Sequence, residues 1–287
     1  MKPLCAVAAD ARLFDATSTP ATVAYVSHSA VNLRGPENTW TMLCAARLGC
    51  GPRTVLIRPS GALDGIVSLG AAVTIGKSSV VGDAGPIVTW DNAMPWTPSH
   101  QVGSSAGIGS RLAVAAAIVG QLGCFLARPL ISRPVRALRD SCIDLSTPGI
   151  NHAVSELIGL GPGLTPAGDD YLSGYLAALR HLVADDPRAS KAQELLAEAI
   201  HSTEPGSTHP LSEFLLGQYR AGVFPHFLTA CLRALALPST IQRLGACVRR
   251  VLRHGATSGT EMMLGVLGAG HDFLPESECW GHDTFDQ

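Results

Sequence analysis

Residues 159–182, GLGPGLTPAGDDYLSGYLAALRHL, decide how the larger part of this chain folds. Gly159, Gly161 and Gly163 make a loop that can take positive φ angles, because glycine has no Cβ to clash there. Thr165 is the expected N-cap and Pro166 the expected first helical residue, since proline presets the helical φ and its missing N–H costs nothing at that position. Beyond them Leu172, Tyr175, Leu176, Leu179 and Leu182 recur at helical spacing as one apolar stripe. Asp169 and Asp170 fall in or just after the first turn, where the helix macrodipole favours a carboxylate by about 0.3–1 kcal/mol without any ligand. Adjacent residues lie about 100° apart around a helix. One aspartate can therefore anchor the loop while the other faces a pocket.

Gly163 and Gly168 have the spacing of a phosphate loop, but such a loop follows its second glycine with Lys-Ser/Thr to meet the phosphate charge. Here Asp169 and Asp170 stand in those places, which rules out nucleotide binding of that type. What remains is a loop whose free amides accept a small anion, beside an acid pair. That pair could accept hydrogen bonds from an amino or amide group, or take Mg²⁺ through water. A ligand with an anionic end and an N–H end suits both halves.

Outward from this stretch the chain changes character near residue 100. Before it, ATVAYVSHSAVNL, RTVLIRP, DGIVSLG, AAVTIGKSSVVG and GPIVTWDNAMPW are short strand-like runs separated by Gly, Pro, Asp and Asn. One helix-like interruption, Glu37–Gly49, lies among them. After it the period is helical in nine segments: Ser105–Ala127, Pro134–Leu145, Asn151–Ile158, Pro166–Val183, Ser190–Ser202, Pro210–Ala221, Pro225–Leu237, Thr240–His254 and Ser258–Leu267. The expected fold is α+β: a small β-rich sheet or barrel domain over residues 1–103, then a larger all-helical domain over 104–287. The closing HDFLPESECWGHDTFDQ has no period and reads as a tail.

Composition bounds the partners. With 46% hydrophobic and 15% charged residues over 287, the chain is globular, and its lightly charged surface fits an oligomer. A net charge of −2 and no dense Lys/Arg run speak against nucleic acid or an anionic membrane. The apolar run Leu112–Ala127 is broken by Gln121 and too short to span a membrane, so it reads as a buried helix. Cys5, Cys44, Cys50, Cys124, Cys142, Cys231, Cys247 and Cys279 are scattered without a C-x-x-C pair, and the amino terminus lacks a signal-peptide core. A cytoplasmic protein with reduced thiols is expected. No clustered Cys/His spacing points to zinc.

The motif Gly-Pro-Gly-Leu-Thr-Pro-Ala-Gly-Asp-Asp (161–170) resembles the signature of the AllH-type subunit family of oxamate carbamoyltransferase. HSAVNL (28–33), STHPLSEFLLGQYRAGVFP (207–225) and GATSGTEMMLG (255–265) fit the same resemblance, while Ala167, Ala256 and Glu261 depart from the family pattern. The resemblance implies a place in allantoin catabolism, a purine-degradation route, as one of several different subunits. Their reaction is the reversible transfer of a carbamoyl group from carbamoyl phosphate to oxamate, giving oxalurate and phosphate. Such transfer needs donors for an oxyanion, charge stabilisation for departing phosphate and an acceptor that orients the attacking nitrogen. The glycine loop (Gly161, Gly163, Thr165, Gly168) would supply the first two, and Asp169 or Asp170 the third. No cofactor is required, though the acid pair could take Mg²⁺ or Mn²⁺.

Further candidates have structural readings beside the functional one. Ser258 and Glu261 form an S-x-x-E capping box, yet Thr257 and Ser258 also make a second small-residue helix start, which would double an anion site if it shared a cleft with the first. Ser207 or Thr208 reads as the cap of a helix entered at Pro210, with His209 a surface histidine. His28 and Asn32 are turn residues unless the resemblance makes them substrate contacts. Two other functions stay open: a metal-assisted amide or phosphate hydrolase holding its ion on Asp169 and Asp170, and a scaffold that needs the loop only for packing. The site is expected between the sheet domain and the helices.

Overall fold

The computed structural model describes residues 3–58, 63–98, 106–121 and 129–274. Contacts divide the chain into two compact units, Met1–Ser99 with Val223–His226, and His100–Gly222 with Phe227–Gln287. Among the described residues every strand lies in the first and the α-helices follow, so the fold is α+β with a helical carboxyl-terminal part.

In the first unit β1 (Leu4–Asp10), β2 (Thr19–Val26), β3 (Ala30–Arg34), β4 (Trp40–Ala45), β5 (Thr54–Ile57), β6 (Ala72–Ile75), β7 (Ser79–Gly82) and β8 (Gly85–Thr89) form a closed barrel. Their order is β5-β4-β3-β2-β6-β7-β8-β1, and antiparallel pairing of β1 with β5 closes the ring. β9 (Met94–Trp96) adds a parallel pairing along the later residues of β1. Leu13, Val31, Leu33, Val55, Ile57, Val88 and Trp90 fill the core. Each such side chain contributes roughly 1.5–3 kcal/mol of burial. Buried Asp10 accepts from the Arg12 amide at 3.0 Å and the Arg53 amide at 2.7 Å, tying the end of β1 to the start of β5.

Two sequence expectations are corrected here. The helix expected over Glu37–Gly49 is a 3-10 turn at Pro36–Asn38, then β4, then a second 3-10 turn at Ala46–Leu48. Glu37 and Asn38 take positive φ, which breaks a helix at its start. β4 is buried on both faces and so shows no alternation. β1 was not anticipated as a strand, because its alanines carry little β-branched signal.

The second unit contains α1 (Ile108–Gln121), α2 (Pro129–Ile143), α3 (Thr147–Leu157), α4 (Ala167–His181), α5 (Pro187–His201), α6 (Pro210–Arg220), α7 (His226–Ala236, whose first residue belongs to the first unit), α8 (Ile241–Leu252) and α9 (Ser258–Phe273). None of the described helices is long and apolar enough to cross a membrane. The part of the expected buried helix beyond Gln121 lies outside the described residues, as do Cys124, Cys279 and the tail beyond Leu274. The other six cysteines are free thiols.

α4 is the centre of this unit. Residues 168–179 are buried all around it, not along one stripe. Its main partner is α9, and the two run parallel: the Thr165 and Ser258 hydroxyls meet at 2.9 Å at one end, and Tyr175 Oη donates to Asp272 at 2.9 Å at the other. Glycine permits the approach. A Cβ on Gly174 would overlap the Met262 carbonyl, and one on Gly265 the Tyr171 carbonyl. At the far end Arg139 of α2 grips Asp272 through Nε at 3.1 Å and a terminal guanidinium nitrogen at 2.6 Å. His271, Asp272 and Phe273 belong to α9 rather than to a tail.

Gly174→Ala is expected to destabilise the helical unit by about 1–3 kcal/mol or more, because backbone sits where the methyl must go. Denaturant unfolding followed by helical circular dichroism measures this. An unchanged midpoint would mean that the two helices part at no cost.

Candidate functional site

The loop from Gly159 to Pro166 joins α3 to α4. Gly159, Gly161 and Gly163 take φ of 76°, 116° and 106°, the left-handed region glycine alone enters freely. The loop folds back on the helix start instead of opening a cradle. The Gly168 amide donates to the Leu160 carbonyl at 3.0 Å, and a Cβ on Gly161 would lie 2.9 Å from the Ala167 nitrogen. A Cβ on Gly168 would overlap the Leu157 carbonyl, so this glycine lets α4 begin against the end of α3. The expected ring of free amides is therefore corrected at Gly168, whose donor is used inside the protein.

Thr165 does not cap the helix. Pro166 occupies the N-cap position, and the freed Thr165 hydroxyl reaches Ser258 instead. The S-x-x-E capping box is likewise absent: exposed Thr257 is the N-cap of α9 without a side-chain bond, and Ser258 is already helical. At α6 the cap is His209, whose Nδ1 accepts from the Leu211 amide at 3.1 Å, where Ser207 or Thr208 was expected. In all three places a tertiary partner, or a nearer side chain, takes the group that local capping would have used.

Asp169 is an internal acceptor. Its Oδ1 accepts from the Gly159 amide at 2.8 Å, and its Oδ2 from the Ser212 hydroxyl at 2.6 Å and from the Thr208 hydroxyl. One carboxylate thereby fastens the loop, α4 and the start of α6 together. Burial pushes its pKa up, while the three donors oppose that rise. With both oxygens filled by N–H and O–H donors, Asp169 is poorly disposed to hold a metal ion. Among the described residues no three His, Cys, Asp or Glu gather as metal ligands.

Asp170 differs. It is 2% exposed, and its Oδ2 is buried without a hydrogen-bond partner. Burial raises its pKa most; the Ser258 and Thr165 hydroxyls facing the carboxyl oppose the rise, the Asp169 charge adds to it, and the group titrates at about 7. Thr165 and Ser258 are only half-buried, and Pro162, Gly163, Gly255, Ala256 and Thr257 around them are exposed. A pair of touching hydroxyls thus lies between solvent and an acid with a vacant lone pair, where α4 and α9 both begin. Tyr219 of α6 is near enough that the Asp170 charge helps push its hydroxyl's pKa up, after burial. The nearby imidazole of His254, stacked on Phe227 at 4.1 Å, is held neutral by burial, which lowers it to about 4.

Of the sequence candidates, Gly161, Gly163, Thr165, Gly168, Asp169, Asp170, Thr208, Thr257 and Ser258 lie in the second unit, with Thr208 serving Asp169. His28 and Asn32 lie in the first: His28 is exposed and accepts the Leu63 amide at its carbonyl, and Asn32 is buried on β3 between Tyr25 and Met42. Ser212 and Tyr219 were not foreseen. Both lie in α6, where only their tertiary contacts reveal them.

Asp169→Asn should cost about 1–3 kcal/mol, because it sets an amide N–H₂ against groups that donate. Asp170 acts through pH. Folding raises its pKa from 3.8 to about 7, so its contribution to stability is full below about pH 4 and is lost as pH rises through 7, a change of about 4 kcal/mol. Asp170→Asn should gain on the wild type over that window, as read by denaturant midpoints from pH 4 to pH 8. Parallel stability curves would place an ordinary carboxylate at Asp170.

No solved structure matches the chain with significance. Residues 157–269, which include the Asp169 and Asp170 clusters, match the model of the family described as oxamate carbamoyltransferase subunit AllH, the family that the Gly-Pro-Gly-Leu-Thr-Pro-Ala-Gly-Asp-Asp motif resembles.

Proposed function

We propose that the chain is a subunit of an oxamate-type carbamoyltransferase that works with companion subunits, taking small anionic substrates at the shared start of α4 and α9. The family match over residues 157–269 supports the reaction class. The observation that carries the site is the vacant, buried oxygen of Asp170 behind the Thr165–Ser258 hydroxyl pair.

In carbamoyl transfer the C–O bond to phosphate breaks as a C–N bond forms to the oxamate nitrogen. The proton that the nitrogen loses ends on phosphate. A carboxyl titrating near neutrality can give a proton to the departing phosphate oxygen and regain one from the nitrogen, an effect that contributes typically 10²–10⁴-fold. Thr165 and Ser258 supply hydroxyl donors to the anion, and the positive ends of two helices add to the field. Asp169 holds the geometry and touches no substrate. The reaction runs reversibly between carbamoyl phosphate with oxamate and oxalurate with phosphate, without a cofactor.

Reconstituted with its companion subunits, the wild-type chain should form oxalurate from carbamoyl phosphate and oxamate. Asp170→Asn should assemble normally and lower kcat by about 10²-fold or more. Full activity in that variant would remove Asp170 from the chemistry. An assembled wild-type complex silent in both directions would remove the reaction itself.

A further inference from the structure

An anion site flanked by two aspartates and lacking any lysine poses an electrostatic problem that the geometry resolves. Asp169 is occupied by three donors, while Asp170, whose carboxyl faces the Thr165 and Ser258 hydroxyls where two helices begin, keeps one buried oxygen vacant. We propose, building on the function above, that this site binds a small oxyanion, carboxylate or phosphate, with Asp170 in its neutral acid form donating its proton to a ligand oxygen. Anion binding and proton uptake by the protein are then one event.

The alternatives fit less well. An ionised Asp170 would put a buried charge beside the Asp169 carboxylate, with one oxygen unbonded, which is the arrangement burial penalises most. A protonated Asp170 supplies the third donor of a set whose other two are Thr165 Oγ1 and Ser258 Oγ, and three converging donors match an oxyanion. Hydroxyls adapt to it, since each rotates to donate outward once the ligand replaces its neighbour as acceptor.

The charged and titratable groups around this end are few. α4 itself contributes Asp169, α6 contributes Tyr219, the first turn of α9 contributes buried Glu261, and the turn before α9 contributes His254, held neutral by burial. The charged residues of α3 and α5 (Glu156; Arg188, Lys191, Glu194, Glu198) occupy exposed or half-exposed positions. Burial favours a proton on Asp170, lifting its pKa to about 7, and the Asp169 charge acts in the same sense.

The test is calorimetric titration of the full chain with sulfate and with oxamate, neither of which titrates near neutrality, in buffers of different ionisation enthalpy. Affinity should fall about tenfold for each pH unit above about 7, with uptake of about one proton per ligand at pH 8. Asp170→Asn, which keeps a donor but has no titrating proton, should still bind both anions with a flat pH profile and no uptake. Thr165→Ala with Ser258→Ala should lose at least tenfold. Binding that strengthens with pH, a preference for oxamate over sulfate abolished by Asp170→Asn, or no binding of either anion at pH 6 would each overturn the proposal. None of these readouts depends on carbamoyl transfer, so the site can stand where the reaction falls, and the reverse.

Discussion

The helical unit depends on the backbone contact between α4 and α9. Gly174 against Met262 and Gly265 against Tyr171 bring two helices closer than any side chain allows. Parallel helices at that distance align their macrodipoles unfavourably, each positive end beside the other. At the far end Asp272, near the close of α9, is neutralised by Arg139 and held by Tyr175. At the near end two positive helix starts converge, Asp169 in the first turn of α4 has both oxygens filled, and burial raises the pKa of Asp170 beside it. On the proposed reading, the field that favours an anion at Thr165 and Ser258 comes from those two helix starts, and so from the packing.

The adjacent aspartates show how environment divides identical side chains. Both are buried by the same turn of α4, and burial pushes both pKa values up. Asp169 faces the loop and α6, where an amide and two hydroxyls offset its desolvation. Asp170, a third of a turn further round, faces two hydroxyls that also bond each other, and one of its oxygens stays vacant. A hundred degrees of helix separates an anchor from a titrating acid.

Much of this was legible in the sequence. The glycine loop, the helix after it and the β-to-helix change all follow from local chemistry, and the likeness of Thr165-Pro166 to Thr257-Ser258 points to two helix starts that, in the fold, touch through Thr165 and Ser258. What local chemistry missed was wherever a tertiary partner outbid a local one. Thr165 and Ser258 read as caps because capping is the best bond either finds alone; in the fold they find each other. β4 read as helix because burial on both faces erases the alternation that identifies a strand. Asp272 read as tail because its partner Arg139 lies 133 residues away.

The absence of a lysine beside Gly168 also has a kinetic consequence on the proposed reading. A lysine would hold phosphate before and after transfer alike, so release of product would oppose the field that bound the substrate. Asp170 changes sign of effect within the reaction. As a neutral acid it donates to the bound oxyanion; having given its proton to the departing phosphate, it becomes a carboxylate facing an anion. Two unit charges about 4 Å apart repel by roughly 4 kcal/mol at the effective dielectric of a protein near its surface. The step that completes phosphate departure therefore also weakens its hold, and regaining the proton from the attacking nitrogen restores the site. In that cycle the acid pair answers the question its sequence poses: one aspartate builds the site, and the other makes its affinity depend on where a proton is.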